Sequence, residues 1–277
     1  MLGKLLKQEF RATGRIMLPV FGALLLLSVL ANFSIRLLDS GVGEGMVLNF
    51  LAVFVIGIFI FGMFAAAFMT LALMVSRFYR NLLKDEGYLM HTLPVSVHGL
   101  VWSKLIVSLV WFLATGLVIV LILFLTALIQ SGTSLQELFL QFPSWAEIKE
   151  LLASAGIRSG DITLLLLEFG ALVLVGTLAS CLHFYAAMAM GHMFSKDKVL
   201  LSIVFFVALS FVLSILANLL GFRLHDLAEI TVENGGPEML LLFMRRLLVF
   251  SLGVSLLEGA LLYFVTTLSL RRGLNLA

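Results

Sequence analysis

Charge is scarce in this sequence. Only 12% of its 277 residues are Asp, Glu, Lys or Arg, about half the share found in a soluble globular domain. So few charges cannot coat a water-facing surface of this length. Cysteine is nearly absent as well. The single Cys181 excludes a disulfide framework and any cysteine-built zinc cluster. Proline is confined to four positions. Pro94, Pro143 and Pro237 fall between apolar stretches, and Pro19 stands near the start of the first one, where little helical hydrogen bonding is expected to be lost. Two catalytic signatures are also missing. The sequence has no Gly-x-x-x-x-Gly-Lys-Ser/Thr phosphate loop and no His-Glu-x-x-His zinc motif, so neither a nucleotide site of that type nor a zinc protease is encoded.

What fills the chain instead is apolar: 61% of residues are hydrophobic and 24 are Phe. A bilayer-spanning helix needs about 20 mostly apolar residues. Six runs meet that length, at 16–35, 47–76, 105–130, 162–193, 199–220 and 247–270. Lipid cannot satisfy open backbone groups and the runs lack strand alternation, so they are read as helices. The expected fold is an all-α integral membrane protein: a single transmembrane domain over residues 1–277 with six spans. The first run is taken as a retained helix rather than a cleaved leader.

Orientation follows from where Lys and Arg collect. One side carries twelve basic and four acidic residues, including Lys4, Lys7, Arg11, Arg77, Arg80, Lys84, Lys104, Lys196, Lys198 and Arg271. The other carries six basic and ten acidic residues. Both termini are therefore expected in the cytoplasm, with the chain multi-pass in a bacterial-type plasma (inner) membrane. Arg245-Arg246 is the one breach of this pattern.

Segments outside the runs have their own patterns. In residues 2–13, Leu2, Leu5, Leu6 and Phe10 recur at helical spacing opposite Lys4, Lys7 and Arg11. An amphipathic helix lying in the cytoplasmic interface is expected there, ended by Gly14. Ser134 with Glu137, and Ser144 with Glu147, each match a capping box. Two short helices near 135–142 and 145–154 follow. Gly235-Gly236-Pro237 reads as a turn and helix start, and Met239–Met244, too short to span, as a segment that dips in or lies flat. The longest cytoplasmic stretch is 77–104, in which Tyr88, Leu89, Thr92 and Leu93 share one face of a short helix that Pro94 ends. The last cytoplasmic link is only Ser195–Lys198.

Ionisable residues inside the runs are costly and mark function by default. Glu258 lies midway between Arg246 and Arg271 and shares a helix face with Ser251, Ser255 and Gly259. It is either a polar point on a translocation path or a hydrogen-bonded carboxyl that fixes helix packing. Glu168 heads a small-polar stripe with Gly176, Ser180, His183, Ala187 and Gly191, open to the same two readings. Ser210, Ser214 and Asn218 repeat every four residues, spaced for interhelical hydrogen bonds. His91 and His98 have no carboxylate or thiol at ligand spacing, so no metal site is expected.

The stretch Lys84-Asp-Glu-Gly-Tyr-Leu-Met-His-Thr-Leu-Pro-Val-Ser96, followed by Ser103-Lys104-Leu105, resembles the permease subunits of type-2 ABC exporters. The resemblance extends in layout to most of the chain and in sequence to about 80–105. It implies six helices, an N-terminal interfacial helix, and a coupling helix between helices two and three that docks on a separate ATPase. Lys84, Asp85, Glu86, Tyr88, Leu89 and Leu93 would form that contact, with Lys196 and Asp197 as a smaller one. Its partners would be two ATPase copies, a second permease copy or a paralogue, and the lipid bilayer, with no nucleic acid. This chain would be no enzyme and hold no cofactor, with ATP and Mg residing in the ATPase. Glu168, His183, Ser255 and Glu258 would be its polar path candidates. The rival classes are a membrane scaffold or sensor that binds a partner without transport, and an intramembrane enzyme.

The charge split yields a topology test. Single cysteines at Gly43, Ser154 and Asn234 should react with an impermeant thiol reagent in intact cells, and one at Asp85 should not. Labelling at Asp85 would overturn the orientation.

Overall fold

A computed structural model describes residues 2–40, 45–84, 96–132, 143–154, 156–194, 196–234 and 236–272. Its elements are all helical: α1 (Leu2–Asp39), α2 (Met46–Phe78), a π-helical turn (Tyr79–Leu83), α3 (Val97–Ser131), α4 (Trp145–Ser154), α5 (Ser159–Gly191), α6 (Lys198–Asn234) and α7 (Pro237–Arg272). All six long helices are long and apolar enough to cross a membrane; five contain one of the six runs whole, and α5 stops at Gly191, two residues short of the end of its run. Phe61, Phe64 and Phe68 are each more than 70% exposed, and Leu26, Val29 and Phe33 on α1 are nearly as open. Water would not tolerate such faces over whole helices, whereas lipid tails do.

The chain divides into two compact units, Met1–Arg77 with Ile106–Phe142 and Phe78–Leu105 with Pro143–Ala277. The first is built on a ladder of interhelical hydrogen bonds. Trp111 Nε1 donates to Thr13 Oγ1 at 2.8 Å, the Thr70 and Thr115 hydroxyls meet at 2.9 Å, and Asn32 Nδ2 donates to Thr126 Oγ1 at 3.0 Å. Gln130 Nε2 donates to Asn32 Oδ1 at 3.1 Å, and Arg36 Nη2 caps the Ile129 carbonyl at 2.9 Å. Partners rise together along α1 and α3, so these helices run parallel. Apolar clusters fill the gaps between rungs. One centres on Met17, Leu73, Met74, Val107 and Trp111, and another on Leu24, Ala31, Phe59, Ala66 and Ile122.

Several sequence expectations are corrected here. Gly14 does not end a separate interfacial helix. Helix α1 continues through it, with the Trp111 ring packed beside the glycine, 3.6 Å from where a Cβ would stand. Leu6 and Phe10, expected to face lipid, pack on the Met17–Trp111 cluster, so protein covers that part of the stripe. Pro19 lies in the interior of α1 rather than in its first turns. Val97–Lys104, expected in the cytoplasmic segment, form the first turns of α3, with Ser96 Oγ accepting from the Gly99 N–H at 3.2 Å. Residues 239–244 neither dip nor lie flat but belong to the continuous α7.

Other expectations stand. Ser144 and Glu147 form the reciprocal cap at the start of α4, at 2.7 and 3.3 Å. Pro237 opens α7, where a missing N–H costs nothing. The expected helix at 135–142 and the coupling helix around Tyr88–Leu93 lie outside the described residues.

In the second unit, α5 packs against α6 and α7. The α5–α6 corner is closed by Gly191. A Cβ there would strike Ser202 Oγ and stand 2.6 Å from the Ser202 nitrogen and 2.8 Å from the Lys198 carbonyl. The corner thus admits only glycine without a shift of backbone. Gly191→Ala should lower stability by about 1–3 kcal/mol through overpacking, read as a lower thermal midpoint in detergent. Gly170→Ala and Gly253→Ala, which meet nothing within 4 Å, should leave the midpoint unchanged.

Candidate functional site

The second unit concentrates its intramembrane polar groups along the seam between α5 and α7. Near one end of the seam, Arg245 Nη2 donates to Glu168 Oε1 at 3.0 Å, and Arg245 Nη1 lies 3.5 Å from Asp161 Oδ1. This accounts for the Arg245 half of the breach in the charge pattern. Arg245 sits inside a spanning helix as the counter-ion of two acids on α5. An isolated carboxylate at that depth would be expensive, and the guanidinium makes Glu168 tolerable.

Fifteen residues further along α5, about 22 Å of helix, lies the second polar group. His183 Nδ1 is 3.4 Å from Glu258 Oε1 on α7. Its other nitrogen, Nε2, is 3.2 Å from the Phe206 carbonyl of α6 and 3.1 Å from Ser210 Oγ. Ser210 spends its own proton on that same carbonyl, at 2.8 Å. A carbonyl only accepts, so Nε2 carries a hydrogen. Three helices therefore meet at one imidazole, with Phe206 also edge-on to the ring at 4.7 Å between centroids. A cavity of about 320 Å3 opens over this group, walled by Leu213, Leu216, Leu220, Val254 and Leu257 and floored by His183, Ser210, Ser214 and Glu258.

Of the four path candidates, the structure brings His183 and Glu258 together, pairs Glu168 with Arg245 instead, and separates Ser255 from all three. Ser255 lines a different and almost wholly apolar cavity of about 290 Å3, with Trp102, Leu178 and Tyr263 among its walls. Gly259 also faces that side, against Ala179. The shared face proposed for Ser255, Glu258 and Gly259 is thus divided between the two flanks of α7. Of the Ser210–Ser214–Asn218 row, Ser210 bonds across helices, while Asn218 bonds within α6 to the Ser214 carbonyl at 2.8 Å.

The expected coupling residues divide differently. Asp85, Glu86, Tyr88, Leu89 and Leu93 lie outside the described residues. Lys84, Lys196 and Asp197 are described and exposed. The bases of their two links are packed together. Phe78 stacks on Tyr185 of α5 at 3.9 Å and 8°, and Tyr79 meets His192 edge-on at 5.2 Å. His192 donates from Nδ1 to the Met188 carbonyl at 2.9 Å. Burial holds its imidazole below the ordinary histidine pKa, Lys198 adds to that shift, and the Met188 bond opposes it. At the same end of the unit, Arg271 Nη2 donates to His98 Nε2 at 2.6 Å. Guanidinium cannot accept, so His98 must carry its hydrogen on Nδ1 and donate to Tyr263 Oη, also at 2.6 Å. His98 is thus a strut between α3 and α7 rather than part of a loop. Among the described residues, no cluster of His, Cys, Asp and Glu has the arrangement to hold a metal ion.

Sequence reasoning missed the Phe78–Tyr185 and Tyr79–His192 contacts, which have no local signature. Arg245 did leave a signal, as one of the two adjacent bases that break the expected charge pattern. Searches against protein-family models, curated proteins and solved structures return no match to this chain.

The Glu168–Arg245 pair makes a measurable coupling. Arg245→Met leaves two acids uncompensated and should lower the thermal midpoint. Adding Glu168→Gln should recover part of that loss. A double variant no more stable than Arg245→Met, in thermal unfolding of the purified protein, would mean that the two side chains act independently.

Proposed function

We propose that this chain is the permease subunit of an ATP-driven exporter, working as a dimer with a second copy or a paralogue and coupled to two separate ATPase subunits. It resides in a bacterial-type plasma membrane with both termini in the cytoplasm. The observation that carries the reading is the mechanical junction at one end of the second unit. Residues 84–96 are the expected docking segment, and Ser195–Lys198 the expected second contact. The base of the first emerges from the turn that holds Tyr79. The base of the second emerges from the α5 end that holds His192. Those two residues touch, and the stacked Phe78 and Tyr185 rings behind them are fully or almost fully buried.

This arrangement supports coupling on physical grounds. A partner that pulls on either link would load the same pair of helices, because the buried rings leave little slack. Force on the π turn would pass through Tyr185 into α5, and along α5 to His183. The strut from His98 to Arg271 does the same for the start of α3 and the end of α7. A scaffold that only holds a partner has no need of such rigid links. A permease does, since the energy comes from a different chain.

The docking segment would bind in the helix-in-groove manner, with Tyr88, Leu89 and Leu93 as anchors. Buried anchors of this kind each cost about 2 kcal/mol on truncation, or roughly 30-fold in affinity. Tyr88→Ala with Leu89→Ala should therefore release the ATPase or abolish cargo-stimulated hydrolysis, while the permease still inserts and dimerises. The measurement is co-purification of the ATPase with tagged permease, together with hydrolysis in reconstituted vesicles. Full binding and full stimulated turnover in the double variant would remove the coupling assignment and leave the scaffold reading in its place.

A further inference from the structure

We propose that the cavity over His183 and Glu258 binds a lipophilic monocation, an amphiphile with one ammonium-type charge on an apolar body, in exchange for the proton that the pair shares. The proton count makes the case. His183 Nε2 is committed to the Phe206 carbonyl and Ser210 Oγ, at 3.2 and 3.1 Å. The remaining link, Nδ1 to Glu258 Oε1, is 3.4 Å long. With one proton in that link the pair is neutral overall, whichever atom holds it. With none, a lone pair faces a carboxylate in a low-dielectric surrounding, which is a high-energy state. A cation resting against Glu258 removes that cost and lets the proton leave to solvent. One positive charge enters as one departs, so the site's net charge is unchanged.

The cavity fits such a ligand. Its volume is about 320 Å3, and most of its wall is leucine and valine from α6 and α7. The Glu258 side chain is a quarter exposed and lines the cavity. Ser214 adds a hydroxyl to the lining. Among the described lining residues, His183 from α5 and Glu258 from α7 are the only ionisable side chains, and the polar side chains from α6 are serines. Among the described residues no lining cation competes for the carboxylate, and Arg245 is engaged 13 residues away along α7 with Glu168 and Asp161. As a binding site this stands without an ATPase. As a cargo site it rests on the permease reading.

The experiment uses the full-length chain alone in lipid nanodiscs, titrated with tetraphenylphosphonium in a weakly buffered solution. Calorimetry reads binding and an indicator dye reads proton release. The expected result is saturable binding with close to one proton released per cation, weakening as the pH is lowered. Glu258→Gln should reduce affinity at least tenfold and abolish the proton release. Ala217→Phe fills the cavity from α6 and leaves both members of the pair in the sequence. It should abolish binding while the protein stays monodisperse with wild-type thermal stability, so the test survives if Glu258→Gln misfolds. Binding without proton release, or binding unchanged by Ala217→Phe, would mean simple partition into lipid and overturn the proposal, as would no saturable binding to the wild type. None of these outcomes bears on the ATPase contact, which the Tyr88 and Leu89 variants test separately.

Discussion

Inside a bilayer there is no water to accept a stray proton or shield a charge, and that single deficit organises both units of this protein. Helices satisfy their own backbones, so the remaining problem is the side chains. Each polar residue must find its partner on a neighbouring helix or on its own preceding turn. In the first unit the answer is a ladder of neutral hydrogen bonds, Thr13 to Trp111 and Asn32 to Thr126 and Gln130. In the second it is charged or protonated groups, Glu168 with Arg245 and His183 with Glu258. The two strategies differ in consequence. Neutral rungs fix register and little else. Ionisable rungs fix register and also store a proton or a charge that other chemistry can displace.

The parallel course of α5 and α7 follows from the same pairs. Their residue numbers rise together, from 168 with 245 to 183 with 258, so the two helices climb in step with α6 folded back between their ends. Small residues let the seam close, as where Gly259 lies against Ala179. A polar pair at each level then decides which of several sterically possible registers is adopted, since a shift of one turn would strand a carboxylate in an apolar wall.

Much of this architecture was legible in the sequence, and what was not has definite physical causes. The six runs were visible because membrane thickness imposes a length that composition alone reveals. Helix ends were less so, because hydropathy marks where lipid stops and not where the helix does. Val97–Lys104 and Met239–Met244 are helical yet flank the most apolar stretches. Gly14 misled because glycine is permissive in a helix when a neighbour fills its space, and Trp111 stands 97 residues away. Glu258 and His183 were each visible as anomalies, but their meeting depends on how α5 and α7 pack, which no local pattern encodes. Ser255 and Glu258 part company for a related reason. A helical face is defined by its neighbours, and α7 has a cavity on either flank.

The π turn at Tyr79–Leu83 holds one residue more per turn than the α-helix above it. By its last residue the chain therefore trails the phase of an uninterrupted α-helix by about 100°, the angle of one residue. The Lys84 N–H still closes onto the Tyr79 carbonyl, at 3.1 Å, so the offset costs no hydrogen bond. The direction in which the chain leaves the membrane at Lys84 is in this way uncoupled from the heptad-like phase that α2 must keep to bury Leu73 and Met74. Selection on the packed face of α2 and selection on the chain's exit direction can consequently proceed apart, with five residues acting as the phase shifter between them.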